Sequence, residues 1–229
     1  MNAQLPLLLR WPAQQRFETF VPGASGAAVA LLRDAALSAD APWVFVAGSV
    51  GSGKTHLSIA ACAAATAAGR SAQYLALATL GDRAEAIRSL GGSDLLALDD
   101  VNAIAGDAAA EHALFDLYNR CKVDKSTMLF SASAAAGQIG IALPDLVSRL
   151  SACAQARLAV LDDAERRDWL RARAAARGLT LDDAVLDWLF AHHARDLTSL
   201  AALLERIDRA ALAAQRRVTV PFLRNLLGA

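Results

Sequence analysis

The chain has few cysteines, and their arrangement excludes several classes of protein. Only three occur in 229 residues, at Cys62, Cys121 and Cys153. An odd number at such wide spacing matches neither a disulfide framework, nor a zinc-binding pair, nor a thioredoxin-type pair. We therefore expect these cysteines to be small core residues in a protein of the reducing cytosol.

Long apolar runs and an excess of either charge are also missing. No charge-free apolar stretch approaches the roughly 20 residues that span a bilayer, and Pro6 interrupts the N-terminal leucines. The chain carries 23 basic and 23 acidic side chains, which excludes a protein whose main task is to coat nucleic acid. These absences predict a cytoplasmic protein with no membrane partner. The 55% hydrophobic content is ample for a buried core.

Short apolar runs alternate with helical patterns over the first part of the chain. Strands are predicted at 43–47, 73–77, 95–98, 128–130 and 157–161, and helices at 24–40, 54–69 and 108–121. Such alternation is typical of an α/β fold, in which helical crossovers join parallel strands. Beyond residue 161 only helices are predicted, at 162–176, 182–193, 196–214 and 221–227. We expect an N-terminal tail (1–16), an α/β core (17–161) and a small all-helical domain (162–229).

The strongest motif is a complete phosphate-binding loop between the first strand and the next helix. It comprises Gly48, Ser49, Val50, Gly51, Ser52, Gly53, Lys54 and Thr55. The glycines let backbone amides close around phosphate oxygens, and the helix N-terminus adds a favourable dipole. We expect Lys54 to reach the terminal phosphates and the Thr55 hydroxyl to bind Mg²⁺. His56 follows the loop and either lines the site or is an ordinary helix residue.

Two acidic residues, Asp99 and Asp100, end the third predicted strand. In phosphoryl-transfer sites one such acid helps to hold Mg²⁺, and its neighbour orients the attacking water. We assign the metal role to Asp99 and the water role to Asp100. Taken alone, the pair also fits an acidic turn or a helix cap. Arg149, on a short helix, is either a solvated side chain or an arginine that stabilises charge in a neighbouring subunit.

Several further segments carry a family resemblance together with these motifs. They are Ile104–Asp107, Phe115–Arg120, Leu143–Leu150 and Gln215–Phe222, and they extend over nearly the whole chain. The set resembles the Hda family of AAA+ proteins, which are related to the bacterial replication initiator DnaA. The resemblance implies an AAA+ core, with a parallel sheet flanked by helices, and a helical lid. It also implies that Phe20 and Val21, in the segment 17–23, line the nucleotide site.

The resemblance implies a regulatory role as well. Proteins of this family bind the DNA-loaded sliding clamp of DNA polymerase III and promote hydrolysis of the ATP held by DnaA, which prevents re-initiation of DNA replication. Arg149 matches the arginine finger of the family and would act in the nucleotide site of DnaA. The tail fits the family's clamp-binding pattern through Gln4, Leu5, Leu7 and Leu9. Such a segment can fill an apolar groove with alternate side chains, although a tail docked on its own domain is the alternative.

Two positions depart from the family pattern. Ser133 follows the fourth strand, where an acidic nucleotide-sensing residue is expected, and Thr198 occupies the place of a lid arginine that contacts phosphate. Arg195 lies about one helical turn earlier and could substitute for that arginine. We therefore expect bound ADP or ATP with Mg²⁺, and weak or no intrinsic ATPase activity.

Two other functions stay open from the sequence. One is a self-contained P-loop ATPase, such as a helicase-loader-like protein, and the other is a scaffold that binds nucleotide only for stability. The chain stops soon after the last lid helix, so we expect contact with DNA only through the clamp. A basic run at 166–177 is balanced by neighbouring acids, which favours a solvated face over DNA contact. The sequence leaves homo-oligomer formation open.

Overall fold

The structure, a computed structural model, describes residues 11–228 apart from the side chain of Thr198. These residues form two compact units, one ending at Ala159 and the other beginning at Val160. The first contains the sheet, and the second consists of helices. Within the described range, no helix has the length and apolar character needed to cross a membrane.

The core unit is built on a five-stranded parallel sheet in the order β2-β3-β4-β1-β5. Its strands are β1 (Val44–Gly48), β2 (Ala72–Ala76), β3 (Leu95–Asp99), β4 (Thr127–Ala132) and β5 (Ala154–Leu158). Strands β1, β3 and β4 are buried along their whole length, which explains why the sequence shows them as continuous apolar runs. The predicted α/β class is confirmed.

The predicted position of the fifth strand is wrong by three residues. The sequence predicts residues 157–161, but β5 covers Ala154–Leu158 and pairs with β1 from Ala154 to Leu158. This strand lies at the edge of the sheet, and only Ala156 and Leu158 are buried in it. Because buried and exposed residues alternate in β5, a search for a continuous apolar run selects the segment that follows it.

Helices cover both faces of the sheet. In the core unit they are α1 (Gly26–Leu37), α2 (Lys54–Ala67), α3 (Arg83–Arg88), α4 (Ala108–Asp124) and α5 (Pro144–Ser151). Helices α1 and α2 pack with Val44 and Val46 in one apolar cluster, whereas α3, α4 and α5 pack with Phe45 in a second cluster. Successive strand side chains point to opposite faces, so β1 contributes to both clusters. The result is a three-layer α/β/α arrangement.

The second unit contains α6 (Asp163–Ala175), α7 (Asp183–His192), α8 (Leu197–Ala214) and α9 (Val220–Leu227). A side chain caps the N-terminus of each helix by accepting a hydrogen bond from a backbone N–H in the first turn; the caps are Asp162, Asp182, Asp196 and Thr219. Apolar residues at helical spacing, such as Leu186, Leu200 and Leu204, are fully buried. Each boundary of these four helices lies within one residue of the predicted position.

The order of the strands determines which loops share an edge of the sheet. Strand β4 lies between β3 and β1, and Phe130 pairs with Leu98 on one side and Phe45 on the other. Loops that follow the carboxyl ends of adjacent parallel strands meet at one edge. The phosphate-binding loop after β1, the acidic pair at the end of β3 and Ser131 near the end of β4 therefore converge.

Candidate phosphate-binding site

The phosphate-binding loop turns sharply between β1 and α2. Gly51 and Gly53 have φ angles of 79° and 93°, a region that favours glycine. Helix α2 begins at Lys54, whose ammonium is buried in the loop. Its Nζ donates hydrogen bonds to the carbonyl oxygens of Gly48 at 2.9 Å and Ser49 at 3.2 Å. A cation is thus held at a helix N-terminus, where anions bind favourably.

Two details of the loop fit a phosphate group. The Ser52 hydroxyl oxygen is buried and has no hydrogen-bond partner among the described residues. A buried polar atom without a partner is rare in proteins, and a bound ligand would supply the missing hydrogen bond. At Gly53, a Cβ atom would come within 2.5 Å of Cε2 of Phe20, so only glycine allows this approach of ring and loop. The unpartnered Ser52 hydroxyl and the Lys54 ammonium fit a bound phosphate chain.

Asp99 is a buried carboxylate that accepts hydrogen bonds from three hydroxyl groups. Its side chain accepts hydrogen bonds from Thr55 Oγ1 at 2.5 Å, from the Tyr74 hydroxyl at 2.9 Å and from Ser131 Oγ. Asp99 itself is 1% exposed. Thr55 and Asp99, the two residues to which the sequence assigns magnesium, are thus in direct contact. Hydroxyl and carboxylate oxygens are the ligands that Mg²⁺ prefers.

Tyr74 and Ser131 are hydrogen-bond donors to Asp99 that the sequence reasoning missed. Tyr74 lies in β2 and Ser131 in β4, the two strands that flank β3. No local motif marks either residue. The available signal is the strand order, because polar side chains near the ends of neighbouring parallel strands come together.

Asp100 has an unusual backbone and a shifted pKa. Its φ angle is 58°, in the left-handed region, and its N–H donates to Ser131 Oγ at 3.1 Å. Desolvation, and secondly the charge of Asp99, raise the pKa of the Asp100 carboxyl, while Lys54 opposes the shift. A carboxyl with a raised pKa beside a phosphate site is suited to accept a proton or to orient water.

Phe20 and His56, two residues that the sequence assigns to the nucleotide site, lie together beside the loop. Their ring centroids are 5.3 Å apart, and Nε2 of His56 donates to the carbonyl oxygen of Arg16 at 2.9 Å. His56 thereby attaches the N-terminal segment to α2. Val21, the next residue assigned to the nucleotide, is half-buried.

Arg149 lies in α5 and packs against aromatic rings of α4. Its guanidinium carbon lies 4.6 Å from the centroid of the Phe115 ring and 5.2 Å from that of Tyr118. No carboxylate lies within ion-pair distance of this guanidinium in residues 11–228. Stacking fixes the plane of the guanidinium and leaves its N–H groups available for an anion.

Ser133, one of the two departures from the family pattern, and Arg195, the candidate substitute for the lid arginine, both have contacts within their own units. Ser133 is exposed, and its backbone N–H donates to Oδ1 of Asn102 at 2.9 Å. In the second unit, Nη1 of Arg195 contacts Oδ2 of Asp163 at 2.6 Å, and its Nε donates to the carbonyl oxygen of Phe190 at 3.0 Å. In this structure Arg195 is thus engaged within its own unit.

The predicted clamp-binding residues Gln4, Leu5, Leu7 and Leu9 lie outside the described residues. The described chain begins at Trp11, whose Nε1 donates to the Thr66 hydroxyl of α2 at 3.0 Å. Arg16 donates to the Trp11 carbonyl oxygen at 3.1 Å. Residues 11–16 are therefore attached to the core unit.

Comparison with known proteins gives two family matches. The profile of the bacterial DnaA ATPase domain matches residues 12–157, and the profile of the Hda lid domain matches residues 163–227. The two segments correspond to the sheet-containing unit and to the helical unit.

Solved structures share the fold at low sequence identity. Domain III of the DnaA protein from Thermotoga maritima has a TM-score of 0.78 and 21% identity, over 96% of this chain and 98% of that one. AMPPCP-bound DnaA from Aquifex aeolicus has a TM-score of 0.72 and 22% identity, over 86% of this chain and 66% of that one. The RuvB Holliday junction branch migration motor of Thermotoga maritima has a TM-score of 0.67 and 17% identity, over 92% of this chain and 70% of that one.

Proposed function

Because the chain belongs to the DnaA-related AAA+ family and carries the Hda lid domain, we propose that it is a regulatory adaptor that acts on DnaA. In this proposal it binds adenine nucleotide and the DNA-loaded sliding clamp, and it promotes hydrolysis of the ATP held by DnaA. The observation that carries the proposal is Arg149, a stacked arginine with no carboxylate partner in the described residues, in a chain that matches the Hda lid.

The nucleotide would be held by the core unit, and the lid would be residues 162–229. Lys54 would exchange its carbonyl partners for phosphate oxygens, and Ser52 offers a further hydroxyl. Thr55 and Asp99 would hold Mg²⁺, which neutralises phosphate charge when it is bound. The AMPPCP complex of the Aquifex aeolicus relative supports an adenine nucleotide as the ligand.

We infer that the chain turns over its own nucleotide slowly and works with ADP bound. Ser133 is exposed and has no charge with which to sense a terminal phosphate. Arg195 would have to leave Asp163 and the Phe190 carbonyl before it reached a nucleotide. Both features favour a protein that binds nucleotide without hydrolysing it efficiently.

Arg149 would then supply its charge to the partner. An arginine finger acts on the phosphoryl group of a neighbouring site, and such a residue contributes about 10³–10⁵ in rate. Aromatic stacking on Phe115 and Tyr118 orients the guanidinium before the partner arrives. Preorganisation of this kind is where much of the catalytic benefit of a positioned charge lies.

Contact with DNA would be indirect, through the clamp. Three arginines of α6, and Arg177 just beyond that helix, are paired with acids at 2.5–3.6 Å. The pairs are Arg166–Asp163, Arg167–Asp187, Arg171–Asp168, Arg171–Asp183 and Arg177–Asp208. Arginines neutralised in this way release few counterions from DNA. The tail residues Gln4, Leu5, Leu7 and Leu9 are the proposed link to the clamp.

A self-contained ATPase remains the second candidate, because Lys54, Thr55, Asp99 and Asp100 lie together at the phosphate-binding loop. Two assays distinguish the candidates. We expect ATP pre-bound to DnaA to be hydrolysed faster when this chain and a DNA-loaded clamp are both added, and little steady turnover by the chain alone. Steady turnover alone, with no effect on DnaA, would favour the second candidate.

A further inference from the structure

Glu111 is a buried charged residue that the proposed function does not use. Among the described residues, the buried lysine, arginine, aspartate and glutamate side chains are Lys54, Asp99 and Glu111. The first two belong to the phosphate site. Glu111 lies in α4 and is 1% exposed, so its role has to be sought in its contacts.

The partners of Glu111 within residues 11–228 are backbone amides. Its Oε1 accepts hydrogen bonds from the N–H groups of Gly106 at 2.9 Å and Ala142 at 3.1 Å. Its Oε2 accepts from Ala142 at 3.0 Å and Leu143 at 2.8 Å. A buried carboxylate is costly unless it is hydrogen-bonded, and bonds to a charged acceptor are the strong ones.

These amides belong to the segments that start two helices. Gly106 precedes Asp107, the N-cap of α4, whereas Ala142 and Leu143 directly precede α5. Leu143 is the N-cap of α5, and Pro144, its first residue, has no N–H to offer. A negative charge at the N-terminus of α5 is also favoured by the helix dipole. One side chain therefore joins the start of α4 to the start of α5.

The same face of α4 also supports Arg149. Glu111, Phe115 and Tyr118 are spaced i, i+4 and i+7, which places them in one row on the helix. The first residue binds the segment before α5, and the other two lie under the Arg149 guanidinium. Leu146 and Leu150 of α5 are fully buried. Helix α5 is thus fixed at its N-terminus, along its buried face and at Arg149.

We propose that Glu111 is a positioning residue for Arg149: by binding the amides of Ala142 and Leu143, it fixes the start of α5 and therefore the place at which the guanidinium meets a partner's nucleotide. This inference rests on the proposed function of Arg149. The helix has only eight residues, so a shift at its start is transmitted to Arg149 over less than two turns. A displacement of 1 Å at a reacting group can cost about 100-fold in rate.

The test compares Glu111→Gln with a control variant that is also destabilised but keeps the contacts of α5. Glutamine keeps the shape, but it removes the charge and turns an NH₂ group toward at least one backbone N–H. Leu32→Ala is the control, because Leu32 is buried in the apolar cluster on the opposite side of the sheet. Glu111→Asp, which keeps the charge and shortens the reach, serves as a second variant if the glutamine variant folds poorly.

The first readout is single-turnover hydrolysis of ATP pre-bound to DnaA, at saturating adaptor and clamp. We expect Glu111→Gln to lower the rate about 10- to 100-fold and to leave its own ADP affinity within about twofold, while Leu32→Ala keeps the wild-type rate per folded molecule. In the Arg149→Ala background, Glu111→Gln should cause no further loss, because both changes remove the same contribution. A further loss of similar size in that background would overturn the positioning role.

The second readout is hydrogen–deuterium exchange of residues 141–150, which needs no partner. We expect faster exchange there in Glu111→Gln and wild-type exchange in Leu32→Ala. Unchanged exchange, or an unchanged rate while Arg149→Ala is inactive, would overturn the inference and leave the proposed function intact. If the wild-type chain itself fails to accelerate hydrolysis, the proposed function fails, and the positioning role fails with it.

Discussion

Replacement of Lys54 by alanine should separate nucleotide binding from folding. The ammonium group is buried in the phosphate loop and donates to the carbonyl oxygens of Gly48 and Ser49. On binding of a nucleotide, the same donors would turn to phosphate oxygens. A hydrogen bond to a charged group contributes about 1.5–3 kcal/mol, so loss of two such bonds removes about 3 kcal/mol or more. The Kd for ADP should therefore rise at least about 100-fold.

The stability of the unliganded protein should change far less. Of the two bonds lost there, one ends at the carbonyl oxygen of Ser49, an exposed residue, and the other at that of Gly48, which is buried. A net cost of about 1–2 kcal/mol corresponds to a fall in Tm of a few degrees for a chain of this size. Addition of excess ADP should raise the Tm of the wild-type protein by mass action and leave that of the variant unchanged.

Isothermal titration calorimetry with ADP and Mg²⁺, together with thermal melts, measures both effects. Lys122→Ala is the matched control, because its ammonium lies 4.2 Å from the centroid of the Trp43 ring, on exposed α4 surface. That variant should bind ADP like the wild type. A folded Lys54→Ala protein with ADP affinity within twofold of wild type would refute the placement of the phosphate site.

Three other expectations follow from the same contacts. Gly53→Ala should lower the Tm by several degrees and weaken ADP binding, because the new Cβ atom meets the Phe20 ring. Gly69→Ala is the control: Gly69 also has a positive φ but open space around it, so backbone strain alone should lower the Tm of that variant. Equal effects of the two substitutions would contradict this reasoning. Asp100→Asn should raise the Tm at pH 7, because the raised pKa of Asp100 means that ionisation of this carboxyl disfavours the folded state. The gain in Tm should be lost below about pH 4, where the carboxyl is neutral in both the folded and the unfolded protein. A gain that persists at acid pH would contradict an effect of ionisation. The double variant Gln4→Ala with Leu7→Ala should no longer co-elute with the clamp but should still bind ADP. Leu8→Ala is the control and should still co-elute, because the clamp-binding pattern accepts any residue at that position. Clamp binding by the double variant would exclude the tail as the link.

The parts of the fold that could be predicted are those in which a local pattern decides the structure. Strands β1, β3 and β4 are buried on both faces, so their composition alone identifies them. Strand β5 alternates at a sheet edge and was misplaced. Helix α3 has six residues and was missed, although Asp82 accepts from the Glu85 N–H and the Asp-x-x-Glu spacing is a cap signal.

The site, too, has residues that a local motif identifies and residues that only the fold brings together. The loop from Gly48 to Thr55 is contiguous, so a motif in the sequence specifies it, and Thr55 contacts Asp99 directly. Tyr74, Ser131 and Glu111 act across strands or between helices, and no spacing in the chain relates them to their partners. The stacking of Arg149 on Phe115 likewise depends on how α4 packs against α5. Tertiary packing decides these contacts.

One measurement tests the central claim most directly: the rate at which ATP pre-bound to DnaA is hydrolysed in the presence of DNA-loaded clamp and this chain, wild type or Arg149→Ala. Arg88→Ala, which removes an exposed arginine from α3, is the control. The account predicts acceleration with the wild type and the control, and a loss of about 10³-fold or more with Arg149→Ala at unchanged ADP binding. Equal acceleration by the Arg149→Ala variant would contradict it.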